Sequence, residues 1–532
     1  MKDKKNNQFI EKLVSSGYYK KNKPMSKRHS SNIPPKQKKS KVQSSFAEIL
    51  TKGKNDEVHQ VIIHIKPHCK KNLSTFQAII GDDYKADLVF ETIDAFSARL
   101  TKKQIQALSK HKDITYIEED ITIKINLNSS TAWFGVNKAH RNFNVDGSGI
   151  TVAVLDTGID NQHIDLDENK VIGWSDFINN RTQPYDDNGH GTHVSSIIAG
   201  TGDGNTRLSG VAPKASLVGV KILDANGSGS MSQILSGIDW IVANKETFNI
   251  RVANLSFGSQ TASDGRDALS LAVNRATRQG IVFAVAAGNE GPDKYTIGTP
   301  GAAARAITVG SMADVKEGGY FLNRFSSRGP TLDERIKPDI VAPGYLITAA
   351  KANTISEYIT QSGTSMAAPF IAGTIALMLN ANPSLTPQQI KQILIRTSED
   401  WGDLGKDIDY GAGRLQAYQA ISEAGNLSGH PPQNRPNHFT QEGYLKSTDD
   451  YQLLEYQVSN LNYPVALTLL LENEDADFDV YVYNPNRNLV ASSYSNERQE
   501  KLSFLPRFTG DYLIVVYSYQ GKGSYYLDIS GG

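Results

Sequence analysis

Apolar positions along this chain follow different rhythms in successive stretches. Between 128 and 425, short apolar runs at 152–155, 217–222, 252–256, 281–286 and 306–309 alternate with stretches at 231–243 and 266–279 of helical period. Continuous apolar runs fit strands buried on both faces, and the stretches between them fit amphipathic helices. The pattern predicts an α/β domain, a mostly parallel sheet with helices on both faces. Thr386-Pro387-Gln388-Gln389 adds a capped helix start with proline at its first position. From 438 to 532 the runs 465–471, 478–483, 501–505, 512–517 and 525–529 are β-type, with turn signals at Asn484-Pro485-Asn486 and Thr509-Gly510-Asp511. That spacing predicts a β-sandwich. Residues 426–437, carrying Gly, Ser and three prolines, read as a linker. Ahead of the α/β pattern, 58–65 reads as a strand, 72–80 as a short helix and 87–100 as a strand pair. Thr101-Lys102-Lys103-Gln104 is a capping box opening a helix to Lys110, and 114–118 is a last strand. The expected product over 55–127 is a small α+β sheet.

At 532 residues the chain exceeds one small core, which agrees with these boundaries. No run of 18 apolar residues occurs, so no membrane-spanning helix is expected. The net charge is zero but uneven: residues 1–54 hold 15 Lys/Arg against 3 Asp/Glu, and the remainder is correspondingly acidic. A basic, Ser- and Asn-rich arm of this kind is expected to be disordered, and the acidic body gives no case for a nucleic-acid partner. Cys69 is the one cysteine, so no intrachain disulfide forms. Near the N-terminus, Phe9-Ile10 and Leu13-Val14 are broken by Glu11 and Lys12, leaving no apolar core of a signal peptide. The expectation is a cytoplasmic product, export by another route, or a start site other than the native one.

The candidate chemistry centres on Gly363-Thr364-Ser365-Met366-Ala367-Ala368-Pro369, which leads into an apolar helical pattern. A serine there has an ordinary use as a helix N-cap. Two upstream stretches supply the partners a nucleophilic serine needs. Asp156 closes the apolar run 152–155, at the carboxyl end of a strand, where open α/β sheets place their sites. His190 lies in Asn188-Gly189-His190-Gly191-Thr192-His193 at the start of a small-residue helix. His190 and His193 also form an H-x-x-H pair, but Gly191 stands where a zinc hydrolase carries glutamate.

With Asp156, His190 and Ser365 in that order and in those contexts, the chain resembles the subtilases, the subtilisin-like serine proteases of peptidase family S8. The resemblance implies a subtilisin-like fold and a serine endopeptidase needing no cofactor for its chemistry. His190 would be catalytic and His193 structural. Asn289, in Ala286-Ala287-Gly288-Asn289-Glu290-Gly291, matches the oxyanion asparagine. Gly227-Ser228-Gly229 and Ser256-Phe257-Gly258 match the segments that flank an extended substrate. Gly298 matches the base of the S1 pocket, where small size would leave room for a large apolar P1 side chain, with Glu290 at its rim. Asp165 matches a calcium ligand, although the loop 201–209 departs from the family pattern; the acidic residues Glu472, Glu474, Asp475, Asp477 and Asp479 are a weaker calcium candidate.

The stretch AFSARLTKKQIQALSKHKDITYIEED is similar to the inhibitor propeptides of subtilases, implying a zymogen whose propeptide remains an intramolecular inhibitor after self-cleavage between about Thr122 and Thr131. Residues 438–532 resemble the bacterial pre-peptidase C-terminal domain, an appendage of secreted proteases, which points to an extracellular setting instead. The expected partners are protein or peptide substrates and the chain's own propeptide, with the enzyme a monomer. The competing reading is a non-catalytic binding or adhesion protein acting through the C-terminal sandwich. A dead subtilase fold would lack one of the four matched elements, and all four are present.

Overall fold

A computed structural model describes residues 41–42, 50–51, 54–66, 76, 88–89, 95–119, 134–167, 169–432 and 436–532. Apart from a few positions, the basic arm 1–54 and the expected helix at 72–80 lie outside the described residues, as does the whole expected cleavage segment 122–131.

The smaller unit is an antiparallel sheet of β1 (Val58–Ile65), β2 (Leu88–Val89), β3 (Ala95–Thr101) and β4 (Ile114–Glu119) in the order β2-β3-β1-β4. Helix α1 (Lys102–Ser109) follows β3 directly. Its capping box is formed in both directions: Gln104 N donates to Thr101 Oγ1, and Thr101 N donates to Gln104 Oε1. Ile105 and Leu108 of α1 bury against Val61, Ile63, Phe96 and Leu100 of the sheet.

The larger unit is built on seven parallel strands: β5 (Thr151–Asp156), β6 (Val171–Asp176), β7 (Ser216–Lys221), β8 (Ile250–Leu255), β9 (Val282–Ala286), β10 (Ile307–Met312) and β11 (Ile340–Pro343). Their order is β11-β10-β9-β8-β5-β7-β6, so the winding reverses at β5. Every residue of β5 is buried, as its unbroken apolar run requires of a strand covered on both faces. A reversal point of this kind opens a crevice beyond the carboxyl ends of the strands.

The helices are α2 (Val136–Phe143), α3 (His190–Ala199), α4 (Met231–Ala243), α5 (Ala268–Arg278), α6 (Thr364–Ala381), α7 (Pro387–Thr397) and α8 (Ala417–Ala424). Between β11 and α6 runs an antiparallel pair, β12 (Ile347–Ala350) and β13 (Tyr358–Gln361). Helix α6 is long and apolar enough to cross a membrane, but 83% of its apolar window is buried inside the protein. It is the central core helix, packed on α3 and the sheet.

The C-terminal strands are β14 (His438–Leu445), β15 (Tyr451–Val458), β16 (Val465–Leu471), β17 (Asp477–Tyr483), β18 (Leu489–Ser493), β19 (Gln499–Phe504), β20 (Gly510–Gln520) and β21 (Gly523–Ser530). One sheet runs β14-β21-β16-β19, all antiparallel, and β15 pairs with β20 in another. The arrangement fits a sandwich, but not a loosely tethered appendage. The rings of Trp401 and His438 stack at 3.7 Å, Leu322 N donates to Thr468 Oγ1 at 3.1 Å, and Ser530 Oγ donates to the Tyr320 carbonyl at 3.0 Å.

Candidate active site

Asp156 is the last residue of β5, at the winding reversal, and is 1% exposed. Its Oδ1 lies 2.7 Å from His190 Nδ1 and also accepts the Thr157 N–H at 2.7 Å. A carboxylate only accepts, so Nδ1 is the donor and Nε2 is left as the basic nitrogen. Gly191 makes this approach possible: a Cβ there would lie 2.1 Å from the Gly158 carbonyl and 3.1 Å from Asp156 Cβ. Any side chain at 191 would lift the start of α3, and His190 with it, off the end of β5.

Burial on its own would lower the His190 pKa. The charge of Asp156 and its hydrogen bond, with a further contribution from Asp186, outweigh that, and the net shift is upward. Asp186, unrecognised in the sequence, organises the His190 loop. Its Oδ1 accepts from Thr157 Oγ1 and from the N–H groups of Asn188 and Gly189, and its Oδ2 accepts both donors of Thr192. The available signal was an aspartate two residues before an Asn-Gly turn, a common turn-former with no catalytic meaning alone.

His193 is fully buried, and its Nε2 lies 3.1 Å from the carbonyls of both Ile347 and Ile359. Two acceptors fix Nε2 as the protonated nitrogen. Burial, then the charge of His190, lower its pKa to about 4, so it stays neutral in the working range. Its ring joins α3 to β12 and β13, and it is not paired with His190 around a metal.

Ser365 is the second residue of α6, where N–H groups have no intrahelical partner. Its hydroxyl donates to the Ser256 carbonyl at 2.8 Å. Asn289 follows β9 at the carboxyl end of the sheet. Its Oδ1 accepts from Thr364 N at 2.9 Å and from Thr364 Oγ1 at 3.1 Å, which turns the amide nitrogen the other way. A Cβ built on Gly363 would lie 3.6 Å from Asn289 Nδ2, 3.6 Å from Ser365 N and 3.8 Å from Asn289 Oδ1, so the Asn289 amide and the Ser365 N–H lie side by side at the start of α6. Two preset donors at a helix N-terminus suit a developing oxyanion.

The substrate-flanking residues lie on two loops. Gly227, Ser228 and Gly229 follow β7 in a turn held by Asp224, whose Oδ1 accepts from Ser228 N at 2.9 Å. Asn188 Nδ2 donates to Ala225 O at 3.0 Å, tying this turn to the His190 loop. Ser256, Phe257 and Gly258 follow β8, with Phe257 partly buried against the core. Ser259 N donates to Thr299 O at 2.8 Å, which brings the loop containing Gly298 alongside. Glu290 is exposed beside Asn289.

Gly298 and Asp165 both sit in close local contacts. A Cβ on Gly298 would fall 2.1 Å from the Ser259 carbonyl. Its smallness therefore permits close backbone approach between the two loops. Asp165 is fully buried, with Oδ1 accepting Gly204 N at 3.0 Å and Oδ2 accepting Tyr358 Oη at 2.9 Å. Both carboxylate oxygens are thus engaged by protein donors. Among the described residues no group of three or more His, Cys, Asp or Glu side chains could hold a metal ion.

Residues 147–413 match the model of the Subtilase family, and residues 23–126 match that of Peptidase inhibitor I9. The chain is 36% identical over 400 residues to Serine protease AprX of Bacillus subtilis (strain 168), covering 70% of this chain and 89% of that protein. It is 36% identical over 345 residues to Thermostable alkaline protease of Halalkalibacterium halodurans, covering 64% and 87%. Subtilisin E of Bacillus subtilis (strain 168) is 35% identical over 343 residues, covering 63% and 83%. The C-terminal sandwich lies beyond both family-model matches. The chain belongs to the subtilase family of serine proteases and carries an I9 inhibitor propeptide domain.

Proposed function

We propose that the enzyme cleaves peptide bonds with Ser365 as nucleophile, His190 as general base and acid, and Asp156 as the group that orients and stabilises the imidazolium. The observation that carries this reading is the 2.7 Å pairing of His190 Nδ1 with buried Asp156 Oδ1 at the end of β5, which leaves Nε2 as the basic nitrogen. Ser365 Oγ turns from the Ser256 carbonyl toward His190 Nε2 and gives up its proton as it attacks the scissile carbonyl. The carbonyl oxygen, now negative, moves between the two donors. His190 then protonates the leaving amine, and water repeats the sequence on the acyl-enzyme. A fluorophosphonate probe should label the wild-type enzyme at Ser365 and leave Ser365→Ala unlabelled; equal labelling of both would sink the assignment.

Specificity is broad, favouring a large apolar P1 side chain. The loops flanking the site offer small or apolar groups at Ser256, Phe257, Gly258, Ala287 and Gly288, with Glu290 as an exposed charge at the margin. The substrate chain lies extended between 227–229 and 256–258 and adds a strand to them. The I9 domain makes the product a zymogen, cut by its own active site between about Thr122 and Thr131 and then held as a product-like inhibitor. Ser365→Ala should accumulate as one uncut polypeptide while wild type yields two fragments.

A further inference from the structure

The loop that carries Asn289 is held from below by the C-terminal sandwich. Leu471 N donates to the Arg498 carbonyl at 3.0 Å, and Gln499 begins β19, opposite Leu470 of β16, so both residues are fixed to the sandwich framework. Their side chains leave that framework and are buried in the catalytic domain, Arg498 6% and Gln499 0% exposed. Arg498 forms a bidentate pair with Asp409, Nη1 to Oδ1 at 2.6 Å and Nη2 to Oδ2 at 2.7 Å. Its Nη1 also donates to the Pro292 carbonyl at 3.4 Å, three residues beyond Asn289. Gln499 Oε1 accepts from Arg328 Nη2 at 2.6 Å, and its Nε2 donates to the Leu322 carbonyl at 2.8 Å. Arg328 is fully buried, with Nε 3.4 Å from Asp409 Oδ1 and Nη2 donating to the Asn323 carbonyl at 3.0 Å.

The segment gripped this way, 322–328, is the one that shapes the oxyanion loop. Ser327 N donates to the Gly288 carbonyl at 2.9 Å, Ser327 Oγ accepts Glu290 N at 3.1 Å, and Gly291 N donates to the Phe325 carbonyl at 2.9 Å. Asn289 is thus bracketed on both sides by bonds to a segment whose own anchor, Arg328, is completed from the sandwich. Lys294 adds a more exposed tie, Nζ to the Glu472 carbonyl at 2.9 Å. The buried guanidinium groups have fixed, forked geometry, so their removal is not compensated by a mobile substitute.

We propose that Arg498 and Gln499 are positioning residues for the oxyanion loop, which makes the C-terminal sandwich a working part of the catalytic site. The inference rests on Asn289 acting as the oxyanion donor. Loss of either side chain lets the loop relax, and displacement of a transition-state donor by even a fraction of its bond length lowers kcat more than it raises KM.

The test is a double-mutant cycle on the full chain. Arg498→Lys and Gln499→Met are made alone and combined with Asn289→Ala, and kcat and KM on a peptide amide are normalised to active sites titrated to completion. Gln499→Met is near-isosteric and uncharged, so it carries the test if Arg498→Lys does not fold. Each single variant should lower kcat by about ten- to a hundredfold with KM altered much less, and the same change made on Asn289→Ala should cost less than about threefold. A loss equal in both backgrounds, or kcat per titrated site unchanged while only thermal stability falls, would overturn the proposal. An Asn289→Ala enzyme with wild-type kcat would overturn the oxyanion reading and this inference with it; that result is told apart because it needs no change in the sandwich.

Discussion

Ser365 and Ser256 are joined by two hydrogen bonds of opposite sense, each 2.8 Å: the Ser365 hydroxyl donates to the Ser256 carbonyl, and the Ser256 hydroxyl donates to the Ser365 carbonyl. The second bond exists because of Pro369. In an unbroken helix the Ser365 carbonyl would accept the N–H of residue 369, and proline has none. Asn254 Nδ2 in turn donates to Ser256 Oγ, so a buried chain of bonds runs from β8 to the first turn of α6.

Removing the Ser365 hydroxyl deletes the proposed nucleophile but leaves that chain intact, since the Ser256 bond is made to the main chain. Ser365→Ala should abolish peptide hydrolysis and shift unfolding by less than about 1 kcal/mol. Ser256→Ala is the reverse case. It strands the Ser365 carbonyl and Asn254 Nδ2, and should cost about 1–3 kcal/mol of stability as well as lowering kcat. Denaturant unfolding and peptide-amide kinetics on the two variants distinguish these profiles, and a stable, fully active Ser256→Ala enzyme would refute the argument.

The pH profile follows from the sign of the His190 shift. The base must be neutral to accept the Ser365 proton, and its pKa is raised above the ordinary 6.5 by Asp156 despite burial. Activity should therefore fall with decreasing pH through a midpoint above 6.5 in kcat/KM. Asp156→Asn removes the charge, so the midpoint should move down while kcat drops by about 10⁴, the scale seen when this member of a serine protease triad is neutralised. A midpoint that stays in place in Asp156→Asn would assign the limb to another group.

The proposed catalytic residues stand out because each sits at a boundary that sequence marks sharply: an apolar run ending in Asp156, a glycine-rich turn ahead of His190, small residues ahead of Ser365. The parallel sheet and the capping box at Thr101 were legible for the same local reason. What was not legible depends on residues distant in sequence. Nothing near Arg498 says that its guanidinium lies against Asp409, and nothing near Gly298 says that Ser259 presses on it. The linker expected at 426–437 is read from composition, and composition could not show that the domain beyond it is clasped by buried polar contacts.

Asp165 provides a test of structural role against metal binding. Both its oxygens accept protein donors, Gly204 N and Tyr358 Oη. Asp165→Asn keeps one acceptor and turns the other into a donor facing the tyrosine hydroxyl. It should lose about 1–3 kcal/mol of stability, by the same amount in calcium and in excess chelator. A loss seen only with calcium present would assign Asp165 as a ligand.

His193 should leave a mark on acid stability. In the unfolded chain it takes up a proton near its ordinary 6.5, whereas in the folded protein burial holds its pKa near 4. Between those values the unfolded state binds the extra proton, so stability falls as pH drops from about 6.5 to 4, by about 1.4 kcal/mol per unit and about 3 kcal/mol in all. His190 acts in the opposite sense. Its raised folded pKa gives stability that is fully present below 6.5 and is lost as pH rises through the folded value. The two contributions therefore occupy adjoining windows, His193 below 6.5 and His190 above it. Replacing His193 with glutamine keeps an N–H donor for the Ile347 and Ile359 carbonyls but cannot titrate. In a Ser365→Ala background, which prevents autolysis, denaturant unfolding of His193→Gln should show a flatter slope between pH 6.5 and 4 and an unchanged one above. An identical acid slope in both proteins would place the protons elsewhere.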